Sequence, residues 1–242
     1  MPPNKSFAED IKFFKNKLAN NINFSFSKYA DGEWAVMQDV SINNSEFWFD
    51  KDSEQDQTKR GMLLDSFKFQ HPQYYVGISC PCCQGQDTFL EMLEGCGQPE
   101  DMITWANIWV NKNYRYYQAN ILPIYSQRKT VLYCHKDGDL DSLPFTPDKV
   151  FPISKNAWEY DWNLIEESKR YIEEEHIEDY VFLFCCGPFG NVLCHQLTDF
   201  NDSNTYLDVG STLNPFLKSE GFKRDYYVGN TFFAHQACKW GK

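Results

Sequence analysis

Long apolar runs are missing from this chain: none reaches the ~20 residues needed to cross a bilayer. The first ten residues, MPPNKSFAED, are polar and make no secretory leader. A cytoplasmic setting with no transmembrane segment is therefore expected. Positive charge is also in short supply, with 23 Lys and Arg against 34 Asp and Glu and a formal net charge of −11. A field of that sign excludes nucleic acid and anionic membrane as partners of the whole surface, leaving room only for a local basic groove. Nor do the nine cysteines form an even, regularly spaced set. Reduced thiols, not a disulfide framework, are the expectation. Repeats, low-complexity tracts and linkers are absent too, so residues 1–242 read as a single domain with a sizeable core.

What is present begins with aromatics, 17% of the residues, including 20 phenylalanines. Most of the phenylalanines belong in a core, and a remainder is available to stack on flat or sugar-like ligands. Phe7, Ile11, Phe14 and Leu18 recur at helical spacing behind Ser6, a suitable N-cap. Residues 22–28 then alternate as a strand, Phe24 and Phe26 to one face, Ser25 and Ser27 to the other. A helix is expected from near Glu33, a polar loop over 41–59, and a helix over 60–69. Strands are expected at 74–79, 103–110, 130–134 and 149–153, with short helices at 87–95 and 114–124. The last third reads most clearly: an amphipathic helix over 162–176, the apolar strand YVFLFCC, a helix over 191–199, and the strand TYLDVG. Strands alternating with helices imply parallel pairing with right-handed crossovers. The expected class is α/β, one Rossmann-like domain with a mostly parallel sheet and helices on both faces.

In such a sheet, ligands sit at the carboxyl ends of the strands. Three loops qualify by position: YADGEW, CCGPFGN and LDVGST. In the second, glycines and a proline stand between a strand and a helix, where backbone amides either bind an anion or simply permit close packing. In the first, Asp31 and Glu33 flank Gly32. Acids in a first helical turn cap it. Two carboxylates spaced i and i+2 also suit one hard cation with positions left for phosphate oxygens. The spacing alone leaves both roles open. The thiols in CPCCQG and Cys96 lack the separated pairs of a zinc ribbon, so small buried thiols are expected there. Cys134-His135 and Cys194-His195 are adjacent in sequence and so point different ways, which argues against a nucleophile–base couple.

Taken in order, FSFSKYADGEW, DKVFPISKNAWEYDWNLIEE, FLFCCGPFGNVLCHQL and NTYLDVGSTLNPFL resemble the GT-D-type glycosyltransferases across residues 22–217. That family carries an Arg-(Phe/Tyr)-Gly-Asp-Gly-Glu segment, a Pro-Ser-Lys-Asn-Ala segment, a Gly-Pro loop opening a helix, and an Asp-(Ile/Val)-Gly strand end. The resemblance implies transfer of a sugar from a nucleotide-sugar donor, UDP-linked by first choice, to a glycan or other glycoconjugate hydroxyl. It implies Mn²⁺ or Mg²⁺ held by Asp31 and Glu33, which serve as catalytic and metal residues. Lys28, Lys155, Asn156, Gly187, Gly190, Asn191 and Asp208 would contact the donor. Lys28 stands where the family has Arg and Ala30 where it has Gly, so the bidentate fork is lost. Those departures leave a catalytically inactive nucleotide- or sugar-phosphate-binding protein as the alternative, and a cysteine hydrolase as a third reading. Trp105, Trp109 and Tyr114 would offer faces to an acceptor sugar or fill the core. Glu46, Asp50, Asp208 and His135 are the carboxylates and imidazole available as base.

Overall fold

The computed structural model describes residues 6–44 and 47–217. Its strands are β1 Ser25–Lys28, β2 Ile42–Asn43, β3 Trp48–Phe49, β4 Tyr74–Ile78, β5 Ile103–Trp105, β6 Thr130–His135, β7 Lys149–Ile153, β8 Val181–Phe184 and β9 Thr205–Asp208. The helices are α1 Phe7–Ala19, α2 Asp31–Met37, α3 Glu54–Lys68, α4 Pro81–Gln84, α5 Gln86–Gly95, α6 Tyr114–Asn120 and α7 Leu122–Tyr125, followed by α8 Ala157–Tyr160, α9 Leu164–Glu174, α10 Pro188–Phe200 and α11 Asn214–Leu217. Seven strands form one sheet in the order β5-β4-β1-β9-β8-β6-β7, and every pairing is parallel. The α/β class expected from the sequence is the one observed. No helix among the described residues is long and apolar enough to cross a membrane.

Alternation along β1 and the residue before it assigns the two layers. Phe24 and Phe26 meet Phe14 of α1 at ring-centroid distances of 5.2 and 5.7 Å. On the opposite face, Ser25 Oγ lies 2.5 Å from Thr198 Oγ1, and Ser27 Oγ accepts from Asn191 Nδ2 at 3.0 Å, both from α10. One face of the strand is therefore packed by dispersion, the other by hydrogen bonds that α10 must be close enough to make. β4, β8 and β9 are buried at every residue, as a parallel sheet covered on both faces requires. α1 starts at Ser6, whose Oγ accepts from Glu9 N while Ser6 N donates to Glu9 Oε2, a reciprocal cap.

Several boundaries differ from those read in the sequence. The strand expected over 22–28 pairs only from Ser25. The apolar stretch at 103–110 is a strand for three residues and then turns, with Ile108 N donating to Trp105 O at 3.1 Å and Val110 N to Asn107 O at 3.2 Å. The polar segment 41–59 is not one loop: it holds the β2–β3 hairpin and the opening of α3. This hairpin borders an open hollow of about 470 Å³ lined by Ser41, Ile42, Asn43, Trp48, Phe49 and Asp50.

Candidate functional site

β1 and β9 run side by side, so their carboxyl ends deliver Lys28 and Asp208 to one place. Lys28 Nζ stands 3.8 Å from Glu33 Oε1 and 3.9 Å from Asp208 Oδ2. Glu33, buried in the first turn of α2, also accepts from Ala30 N through Oε2 at 2.9 Å. The capping role of the acidic turn is thus real, and it uses one of the two oxygens. Asp31, at the start of the same helix, is exposed.

Asp208 is fully buried. Its Oδ1 accepts from Gly210 N at 3.0 Å, while Oδ2 is buried with no hydrogen-bond donor on it. Burial pushes its carboxyl up from the ordinary 3.8 to about 7, with Lys28 opposing the rise and Glu33 adding to it. Gly210 adopts φ +52°, and a Cβ there would sit 2.7 Å from Lys28 Cε. A side chain at that position would displace the lysine from its place between the two acids. The sequence offered Gly210 only as part of a candidate loop, and its specific role needed the positive φ to become visible.

The turn after β8 behaves differently at its two glycines. Gly187 has φ +56° and open space around its α-carbon. A Cβ on Gly190 would lie 3.3 Å from Phe184 Cβ and 3.8 Å from Asp208 Cγ, so this glycine lets α10 press onto the sheet beside the acid. Asn191 is buried and gives its amide to Ser27 Oγ and, at 2.6 Å, to Lys28 O. It fixes the end of β1, and hence where Lys28 starts. Asn156 is buried, donates to Trp48 O at 3.3 Å and leaves Oδ1 without a partner. That bond ties the hairpin and its hollow to the carboxyl end of β7, where Lys155 is exposed. Ser154, preceding it, is held through N and Oγ by Asp161 at 2.7 and 2.9 Å.

The oxygen-only chemistry of Asp31, Glu33 and Asp208, with Oδ2 of Asp208 buried and accepting no hydrogen bond, suits a hard divalent cation such as Mn²⁺ or Mg²⁺. Asp31, Glu33 and Asp208 do not bring one oxygen each within 4.8 Å of one another, so they are not gathered around one point. Cations of this kind ordinarily take one or two carboxylates and complete their shell with phosphate and water.

Other sequence expectations resolve individually. Trp105, Trp109 and Tyr114 are each 1% exposed, so no acceptor sugar can reach them. Trp105 stacks on Phe7 at 5.0 Å, and Tyr114 donates its hydroxyl to Thr212 O. His135 ends β6, half-buried, and its Nδ1 accepts from Asp137 N at 3.2 Å. Asp50 is exposed beside the hollow. Glu46 lies outside the described residues. Burial raises the Cys134 thiol to about 11 and pushes Cys194 well above its usual range, so neither Cys-His pair supplies a ready thiolate. Sequence reasoning missed a buried group on α3: Asp56 accepts from Trp158 Nε1 at 2.9 Å and from Asp50 N at 2.8 Å, with Lys59 Nζ 3.9 Å away.

No family model matches the chain, and no curated protein does. Among solved structures, the domain of unknown function 1792, described as having a distinct glycosyltransferase fold, superposes with a TM-score of 0.60. The identity is 17%, over 85% of this chain and 77% of that one. The selenomethionine-substituted structure of the same domain gives the same figures. At that identity the likeness is one of fold.

Proposed function

We propose that this protein is a metal-dependent glycosyltransferase that moves a sugar from a nucleotide-sugar donor, UDP-linked by first choice, to a hydroxyl of a glycan or glycoconjugate. The observation that supports it most is the charged group at the carboxyl ends of β1 and β9, where Lys28 lies between Glu33 and buried Asp208. It occupies the edge at which parallel α/β sheets take their ligands, within a glycosyltransferase fold. Asp31 and Glu33 would hold Mn²⁺ or Mg²⁺, with Asp208 behind them. When bound, the ion supplies positive charge to the diphosphate leaving group.

The chain's own residues supply the rest. Lys28 presents a fixed ammonium to phosphate oxygens. The amides of Gly187, Phe189 and Asn191 offer donors to an anion, since Pro188 has no N–H and that of Gly190 is held by Gly187 O, and Lys155 and Asn156 approach the nucleotide from the β7 side. Nearby, the hollow at the hairpin, with Trp48 and Asp50 on its wall, accommodates an acceptor sugar. A second reading, a binding protein without transfer chemistry, draws on the same lysine: it already neutralises part of the acidic charge that a metal would otherwise meet.

The test is donor hydrolysis and transfer over a panel of nucleotide sugars with Mn²⁺, in the wild type and in Asp31→Asn and Glu33→Gln. Loss of a main electrostatic stabiliser lowers turnover by at least ~10²-fold. Both amides keep the shape of the acids they replace. In Glu33→Gln the amide oxygen still accepts from Ala30 N, so folding is retained. Wild-type turnover by both variants without added metal would remove the assignment. Tight donor binding with neither hydrolysis nor transfer would favour the second reading.

A further inference from the structure

The turn after β4 gathers thiols that the function above does not use. Cys80, Cys82 and Cys83 bring their sulfurs within 4.8 Å of one another, and Cys80 Sγ lies 3.0 Å from Cys82 Sγ. Cys96, the fourth thiol of the sequence pattern, is elsewhere: it is buried, and its Sγ donates to Leu93 O. Without Cys96, the spacing Cys-Pro-Cys-Cys no longer has to resemble a zinc ribbon. It is one tight turn, closed by Cys83 N and Gln84 N on Cys80 O at 3.0 and 3.2 Å, that presents three sulfurs together.

Packing does not account for them. Cysteine is among the most buried residue types, yet Cys82 and Cys83 are both exposed. Zn–S bonds of ~2.3 Å at tetrahedral angles place ligand sulfurs ~3.8 Å apart. One separation is 3.0 Å and all lie within 4.8 Å, so adjustments of ~1 Å suffice, within the reach of side-chain torsions on two exposed residues. Asn107 Nδ2 donates to Cys83 Sγ at 3.2 Å, the kind of outer contact that orients a thiolate and supports its charge. The turn is anchored as well, since Ser79 Oγ donates to Tyr29 O at 3.3 Å.

We propose that Cys80, Cys82 and Cys83 form a three-thiolate site for one thiophilic d¹⁰ cation, Zn²⁺ first, with the fourth position left to water. Soft sulfur donors exclude the Mn²⁺ or Mg²⁺ assigned to the carboxylates, so the two sites take different ions. Binding displaces the thiol protons to solvent and needs no oxidant.

The full chain, reduced with a phosphine and stripped by a chelator, is titrated with Zn²⁺ in competition with a chromophoric chelator. A parallel titration with Cd²⁺ is followed by thiolate-to-metal charge-transfer absorption. One tight ion per chain is expected. Since outer-shell partners alone cost 10–100-fold in affinity, Cys82→Ser and Cys83→Ser should each weaken binding by at least ~100-fold, and Asn107→Ala by ~10-fold. Circular dichroism of the exposed-site variants checks that they fold. Absence of the charge-transfer band in the reduced wild type would overturn the proposal, as would undiminished affinity in Cys82→Ser. Neither readout involves sugar transfer, so it stands or falls independently of the proposed activity.

Discussion

Asp208 sits where a carboxyl group resists ionising, and the sign of the consequence follows from its folded pKa. Burial raises that pKa to about 7, against 3.8 for the group in solvent. Between those values the folded state holds a proton that the unfolded chain has released, so stability contributed by the protonated group is lost as pH rises through about 7. Asp208→Asn mimics the protonated acid. Its stability advantage over wild type should grow from pH 4 to pH 7 and level off above, reaching a few kcal/mol, by urea denaturation of both proteins across that range. A constant difference would show that Lys28 holds the carboxylate ionised throughout. This residue, with Asp31 and Glu33, was legible in the sequence because strand ends and helix starts are marked by local pattern. Gly210 and the tether from Asn191 to Lys28 were not, since each depends on a contact between segments far apart in the chain.

At the level of elements, the buried strands and α10 were readable from continuous apolar stretches, while α3 was read too short. Its opening, Glu54–Lys59, is polar, and no apolar stripe announces it. The reason lies in what it buries: Asp56 and Lys59, 4% and 5% exposed, make an ionic contact that binds the helix to Trp158 and Glu159 around α8. Hydrophobic periodicity cannot report an interface built from charges. Removing one partner leaves the other buried and uncompensated, so Lys59→Met should cost about 3–5 kcal/mol in urea denaturation. Hydrogen exchange at Asp50 N, which donates to Asp56, should accelerate with it. Lys51→Met, at an exposed pair with Asp52, should leave stability almost unchanged. Equal effects of the two substitutions would refute the distinction.

For the whole molecule, binding and folding are one equilibrium. A nucleoside diphosphate with Mn²⁺ at ~100 times its dissociation constant should add ~2.7 kcal/mol to stability. For a chain of this size that is a rise of ~5–10 °C in Tm, measured by scanning calorimetry, with UDP tried first. No rise with any nucleoside diphosphate and metal would count against the proposed function as a whole. The sheet that carries the site also has two outer margins among the described residues, β5 and β7. β5 is three residues long. In β7, Ile153 O faces β6, where it accepts from Lys136 N, so the neighbouring Pro152 has its backbone turned outward. Proline has no N–H to offer a newcomer, and Lys149 adds charge to the same strand. A sheet this apolar would otherwise template its own extension. One margin is too short to recruit a strand and the other offers no N–H at Pro152, so among the described residues neither margin favours edge-to-edge joining.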